Sequence, residues 1–356
     1  MTANKKGNQT LVFANEPVIL GSASIVGRKE GQGPLVQWFD TVLEDDTLGE
    51  KTWEKSESKM LKTAMMEALQ RSGKSKEDIG AMLSGDLLNQ LMSSSFMARD
   101  LHIPFLGMYG ACSTMTESLM LGAVLTDGRY SDNVIIGASS HYCTAERQFR
   151  MPLEHGNQRP PSAQWTATAA GAMVLSCGSE ESEELIADQE GNAKALKTVR
   201  VTCGTIGKVI DAGIKDANQM GAAMAPAAVD TLLNHLQDTE RNMDFYDMIL
   251  TGDLGYIGKD IAKDLLADAG FATRDVENRY DDCGAMIFSK EQDVHGGGSG
   301  CGCSASVFAG YVFKRMQKGE LNRVLIASTG ALLSTISPFQ GESIPGIAHA
   351  ISLETR

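Results

Sequence analysis

Short runs that are apolar throughout alternate along the chain with stretches whose apolar residues recur every three or four positions, and the whole alternation occurs twice. VILGSASIVG (18–27) predicts a buried strand, Trp53 to Arg71 a helix, and IGAMLSGDL (79–87) a second strand that leaves its sheet through a Gly-Asp turn. A helical pattern then opens at Cys112-Ser113 and runs through Leu119, Met120 and Ala123 to a stop at Gly128. The strands VIIGASS (134–140) and AGAMVLS (170–176) follow.

The second pass repeats these elements in order. VRVTCGTIGKVI (199–210) matches the first strand, a helix from about Met220 to Gln237 matches that from Trp53, and DMILTGDL (247–254) places Asp253 where the first half has Asp86. Cys303-Ser304 opens a second buried helix, followed by VLIAST (324–329) and PGIAHAIS (345–352). Cys112 and Cys303 lie 191 residues apart, and Val134 and Val324 lie 190 apart, so two elements share nearly one offset. The halves are placed at 1–190 and 191–356, joined by the acidic stretch 179–192.

Strands alternating with helices, several strands being apolar on both faces, predict an α/β architecture with covered sheets. The Cys112 helix carries Met115, Leu119, Met120, Ala123 and Val124 nearly all round, which predicts a fully buried helix. One such helix per half, lying between two sheets, gives a five-layer α-β-α-β-α sandwich with a pseudo-twofold axis.

Composition narrows the function classes. Of 356 residues, 42% are hydrophobic and 22% charged, a globular balance with enough apolar side chain for about two domain-sized units. The net charge of −13 disfavours general attraction to nucleic acid or anionic lipid. The opening MTANKKGNQTL lacks the apolar core of a signal peptide, and no apolar run reaches the roughly 18 residues of a membrane span, so a soluble chain is expected. Seven cysteines without a C-x-x-C pair argue against a disulfide framework or a zinc ribbon, and six histidines show no metal-ligand spacing, so no metal site is expected.

Four places carry candidate chemistry. Cys112 in GACST sits at a helix start, where unpaired N–H groups and the helix dipole favour thiolate. It reads as a nucleophile or ligand contact, or equally as a small buried residue heading a core helix. The glycines of HGGGSGCGCSAS (295–306) lack the lysine and the spacing of a phosphate-binding loop and read as a tight turn approaching the Cys112 site. The segment 141–160 holds His141, Arg147, Arg150, His155 and Arg159 against Glu146 and Glu154. It is either an anion site built from arginine forks or a surface of paired charges. Asp86 and Asp253, at equivalent strand ends, suit acid–base work or simple turn capping.

With the duplication and GACST in view, the chain resembles the thiolase superfamily and, within it, the ketoacyl synthase III-type condensing enzymes. That resemblance maps the acyl-carrying nucleophile onto Cys112. The family's histidine would fall in Leu250-Thr251-Gly252-Asp253-Leu254 and its asparagine in Gly300-Cys301-Gly302-Cys303, so Asp253 and Cys301 stand in place of that pair. A more specific resemblance, to the SpoVAD family of sporulation proteins, rests on GDLLNQ (85–90), YGACST (109–114), SSHYCTAERQFR (139–150), GKVIDAGIKDANQMGAAMAPAAVDT (207–231), GGSGCGCSA (297–305), LNRVLIASTGALLS (321–334) and ESIPGIAH (342–349). It implies a non-catalytic protein that binds dipicolinic acid, as such or as its calcium chelate, without a cofactor. It also implies action with membrane-embedded SpoVA proteins at the inner membrane of the developing spore, and a possible homodimer. The expected ligand-binding residues are Cys112, His141, Arg147, Arg150, Asp86, Asp253 and Cys301. Two alternatives stay open: an acyl transferase or condensing enzyme using Cys112 with His141 as base, and a purely structural subunit.

Overall fold

The computed structural model describes residues 4–149, 159–177, 185–187 and 193–356. In the first half the principal strands are β1 (Val18–Val26), β2 (Ala81–Gly85), β3 (Phe105–Gly107), β4 (Asn133–Ser140) and β5 (Ala169–Ser176). Its helices are α1 (Trp53–Arg71), α2 (Met92–Leu101), α3 (Thr114–Asp127) and α4 (Tyr142–Phe149). The second half supplies β6 (Val199–Thr205), β7 (Met248–Thr251), β8 (Tyr280–Asp282), β9 (Arg323–Ala331) and β10 (Gly346–Thr355), with α5 (Met220–Thr239), α6 (Gly255–Asp268) and α7 (Cys301–Val307). A π-helical turn, Phe308–Val312, carries α7 on into Phe313–Gln317.

Strand order runs β8-β7-β9-β10-β6-β1-β5-β4-β2-β3, so the second half repeats the first in mirror sequence about the β6–β1 seam. In each half the two outer pairings are parallel and the two inner ones antiparallel. The seam is narrow, with only Val199 opposite Ile19 and Arg200 opposite Val18. Two sheets are thus joined along one edge, which leaves room for helices between them.

Three apolar clusters fill the layers. Met60, Leu61, Ala64 and Met65 of α1 cover the outer face of the first sheet through Ala23, Ile25, Ile135 and Val174. Met224, Ala228 and Leu232 of α5 do the same for the second sheet. Met115 and Leu119 of α3 and Val307 and Phe308 of the α7 continuation fill the space between the sheets. The apolar ring around α3 predicted its burial, and the five layers are as expected. The 190/191 boundary itself lies outside the described residues. Leu185–Ala187 of the acidic link pairs antiparallel with Ala193–Ala195, which follows it.

Candidate functional site

The site forms where the two central helices begin. Gly110 and Ala111 turn the chain sharply out of the stretch after β3, with Ala111 left-handed at φ 51°. The Thr114 hydroxyl donates to the Ala111 carbonyl at 2.6 Å and accepts the Gly110 N–H at 3.2 Å, which holds Cys112 just ahead of α3. In the second half the corresponding left-handed residue is Gly300, at φ 99°, and Cys301 follows at once. The constant sequence offset pairs Cys112 with Cys303; the backbone reversal pairs it with Cys301.

A narrow cavity of about 30 Å³, opening into a mouth that brings the empty space to about 440 Å³, reaches Cys112 from outside. Leu87, Ala145, Phe149, Met220 and Leu333 give it apolar walls, while Tyr109, Thr166 and Ser299 are its hydroxyl-bearing members. No Lys, Arg, Asp, Glu or His lines it among the described residues. The glycine-rich segment closes one side, because Gly298-Ser299 pairs with Trp165-Thr166 and brings Ser299 and Gly300 onto the wall. A β-carbon on Gly300 would lie 2.6 Å from the Ser140 hydroxyl, so both its φ and its surroundings require glycine.

Asp253 lies buried behind this wall. Its carboxylate accepts the Gly300 N–H at 2.8 Å and the Thr329 hydroxyl at 2.7 Å, locking the end of β7 to the start of α7 and to β9. Burial, and then the negative charge of Asp253, push the Cys112 thiol well above its ordinary range, against a smaller opposing effect of the Gly300 N–H. The helix start alone predicts a thiolate at Cys112; its surroundings hold it as a neutral thiol. The Cys301 thiol is likewise raised by burial and by Glu57, Asp86 and Asp253, and it donates to the Ser139 carbonyl at 2.8 Å.

Asp86 caps the turn after β2, accepting the N–H groups of Leu88 at 2.9 Å and Ser94 at 2.7 Å. Glu57 of α1 lies in the same buried region and bridges the Ser139 and Thr144 hydroxyls. Burial and the facing Asp86 raise its carboxyl. Sequence reasoning passed over Glu57, although the helical pattern contains the signal: it sits three and four positions before the buried Met60 and Leu61, a charge on the core-facing stripe.

Of the expected ligand contacts among the described residues, Cys112 alone lines the cavity: Asp86, Asp253 and Cys301 are buried off its wall, and His141 and Arg147 are engaged elsewhere. His141 is buried, with Nε2 against the Asp46 carbonyl at 2.9 Å and Nδ1 accepting the Cys143 N–H at 3.2 Å, so both ring nitrogens are used on backbone. Arg147 turns to the exposed side of α4, where it pairs with Glu54, while Ala145 and Phe149 of the same helix face the cavity. The helical spacing of α4 separates the arginine from the wall. Arg150 and His155 lie outside the described residues. Arg159 reaches the Asp293 and Val294 carbonyls and stacks over Trp165, 4.8 Å from the ring centre.

Comparison with known proteins agrees with this framework. Over 95% of the chain and 99% of its own length, 3-oxoacyl-[acyl-carrier-protein] synthase III from Aquifex aeolicus VF5 superposes with a TM-score of 0.51 at 11% identity. A variant of OleA from Xanthomonas campestris superposes over 96% of the chain and 97% of its own, with a TM-score of 0.59 at 13% identity. Such low identity shows a shared fold, the thiolase-like fold of these enzymes, and nothing of their chemistry. In sequence, the stage V sporulation protein AD of Bacillus subtilis (strain 168) is 42% identical over 348 residues, 98% of this chain and 97% of that one. The sequence model of the stage V sporulation protein AD (SpoVAD) family matches residues 7–354. A chain with this two-half scaffold, matched from end to end at that identity, belongs to the SpoVAD family of sporulation proteins.

Proposed function

We propose that this protein is a ligand-binding member of its family rather than a condensing enzyme, and that its ligand is dipicolinic acid. The observation that carries this reading is the pairing of a neutral Cys112 thiol with a buried Asp253 carboxylate at the end of an apolar cavity. Carbon–carbon condensation needs a thiolate to take the acyl group and donors that stabilise a developing oxyanion. Asp253 supplies a negative charge where such a donor would be needed, and the Cys301 thiol is engaged with Ser139.

The walls suit a flat ring, which the narrow interior would admit by widening at its mouth. Leu87, Ala145, Phe149, Met220 and Leu333 can bury its faces, and the hydroxyls of Tyr109, Thr166 and Ser299 can meet carboxylate oxygens. A free dianion would enter a described wall that holds no cation, at a substantial desolvation cost. The calcium chelate, whose charges cancel, fits this wall better. Calcium would then arrive with the ligand as cargo. No helix among the described residues is long and apolar enough to cross a membrane. In this reading the chain works from the periphery with membrane-embedded SpoVA proteins, loading dipicolinate into the developing spore. Equilibrium dialysis with dipicolinate, with and without calcium, tests it. Saturable uptake strengthened by calcium and weakened at least tenfold in Phe149→Ala is expected; no uptake in either condition contradicts the reading.

A second reading, acyl transfer, is favoured by one observation: Cys112 lies on the cavity wall. Mass mapping after incubation with acyl-CoA esters separates the two. An acyl adduct on Cys112 establishes transfer; an unmodified Cys112 across several chain lengths removes it.

A further inference from the structure

Two loops that frame the Cys112 cavity, 206–219 and 332–345, are built as one unit. At their bases sit cavity-wall residues: Met220 directly follows the first loop, and Ala331 and Leu333 begin the second. The bases are clamped, backbone against backbone. A β-carbon on Gly207 would lie 1.7 Å from the Ala348 carbonyl oxygen, and one on Gly330 would lie 2.3 Å from that of Gly110, in the turn that holds Cys112. Ile210 and Gly346 exchange both backbone hydrogen bonds, at 2.9 and 2.7 Å.

Beyond that clamp the loops hydrogen-bond only to each other, while Ile344 is buried in the core beneath α5 and Ile214 and Ala217 pack against that core. Ile344 N–H donates to the Ile214 carbonyl at 2.7 Å, Lys215 Nζ to the Gly341 carbonyl at 2.7 Å, and the Ser343 hydroxyl to Asp211 at 2.5 Å. Every other hydrogen bond of 211–219 and 334–344 among the described residues closes a turn within one loop. Their outer surface is apolar and uncovered, with Phe339 90%, Ile336 61% and Val209 58% exposed. A segment held to the body by the Ile344, Ile214 and Ala217 side chains, with no hydrogen bond to it beyond the clamp, opens at lower cost than the sheets beneath it.

We propose that these two loops are a single lid over the Cys112 cavity, hinged at the Gly207 and Gly330 clamp and moving together through the Asp211–Ser343 and Lys215–Gly341 contacts. Because the wall residues Leu333 and Met220 lie where the loops meet the body, swinging the lid widens or narrows the entrance. The lid does not depend on which ligand the cavity takes, so its test uses none.

The test follows the rate at which N-ethylmaleimide modifies Cys112, read by peptide mass mapping, together with hydrogen exchange of the unmodified protein. In wild-type protein the amides of 211–219 and 334–344 should exchange together and well before those of β6, β9 and β10. Breaking the ties in Asp211→Ala/Lys215→Ala should speed Cys112 modification roughly fivefold at unchanged circular dichroism, the size expected for losing two exposed hydrogen bonds. Loops that exchange on separate timescales in the wild type would overturn a common lid. So would an unchanged modification rate in a folded double variant.

Discussion

The Asp253 carboxylate accepts the Gly300 N–H at 2.8 Å, and this bond joins the first strand end of the second half's parallel pair to the turn that starts its central helix. After burial, the same carboxylate is the next cause that raises the thiol of Cys112, so one side chain serves both a structural tie and the suppression of a nucleophile.

Asp253→Asn separates these two roles. The amide oxygen can still accept a hydrogen bond while the negative charge is gone, so the Cys112 pKa should fall. The pH profile of Cys112 alkylation should then move to lower pH, with a faster rate at a given pH on its rising limb. A profile that does not move would mean that burial alone holds the thiol neutral.

Gly300→Ala tests the turn itself. Its left-handed φ and the Ser140 hydroxyl 2.6 Å from a β-carbon both oppose a side chain. A loss of about 2–3 kcal/mol in unfolding free energy is expected in chemical denaturation. A loss below about 0.5 kcal/mol would show that the turn can relax.

Buried acids make stability depend on pH. Burial raises the Glu30 carboxyl to about 8 and that of Asp282 to about 7. A raised acid binds its proton in the folded state at pH values where the unfolded chain has lost it. Its contribution is therefore complete below the ordinary carboxyl range and is lost as pH rises through the folded value. For Glu30 that window runs from the ordinary 4.5 to about 8. The thermal midpoint should fall across it, and Glu30→Gln should flatten the fall, because the amide keeps an acceptor for the Thr168 N–H without a charge. An identical slope in the variant would remove Glu30 from the account.

Arg147→Ala should leave dipicolinate binding within about twofold of wild type, since its guanidinium pairs with Glu54 on an exposed face and such pairs contribute little. The same dialysis measurement applied to this variant checks it; a tenfold loss would return the arginine to the site.

The sequence carried the fold in its periodicity. A helix apolar all round, such as that of Met115 and Leu119, has nowhere to lie except between layers, and repetition of the surrounding strands supplies both layers. The site was legible only at its turns. Cys112, Asp253 and Cys301 are tied to strand ends and helix starts, whose positions the pattern predicts. Arg147 shares α4 with Phe149, but only the rotation of that helix decides which side chains face the cavity, and a charge-based reading selects the outward arginine and the backbone-bound His141 instead. The register shift between Cys303 and Cys301 was hidden because it depends on the left-handed Gly300, a backbone property that no offset reveals.

The most direct test of the central claim is a calorimetric titration of dipicolinate with calcium into the wild-type protein and into Ala145→Phe, which fills the cavity beside Cys112. Saturable binding at one site per chain in the wild type, lost in the filled variant with its fold intact, is the predicted result. Equal binding by both proteins would place the ligand elsewhere and contradict the account.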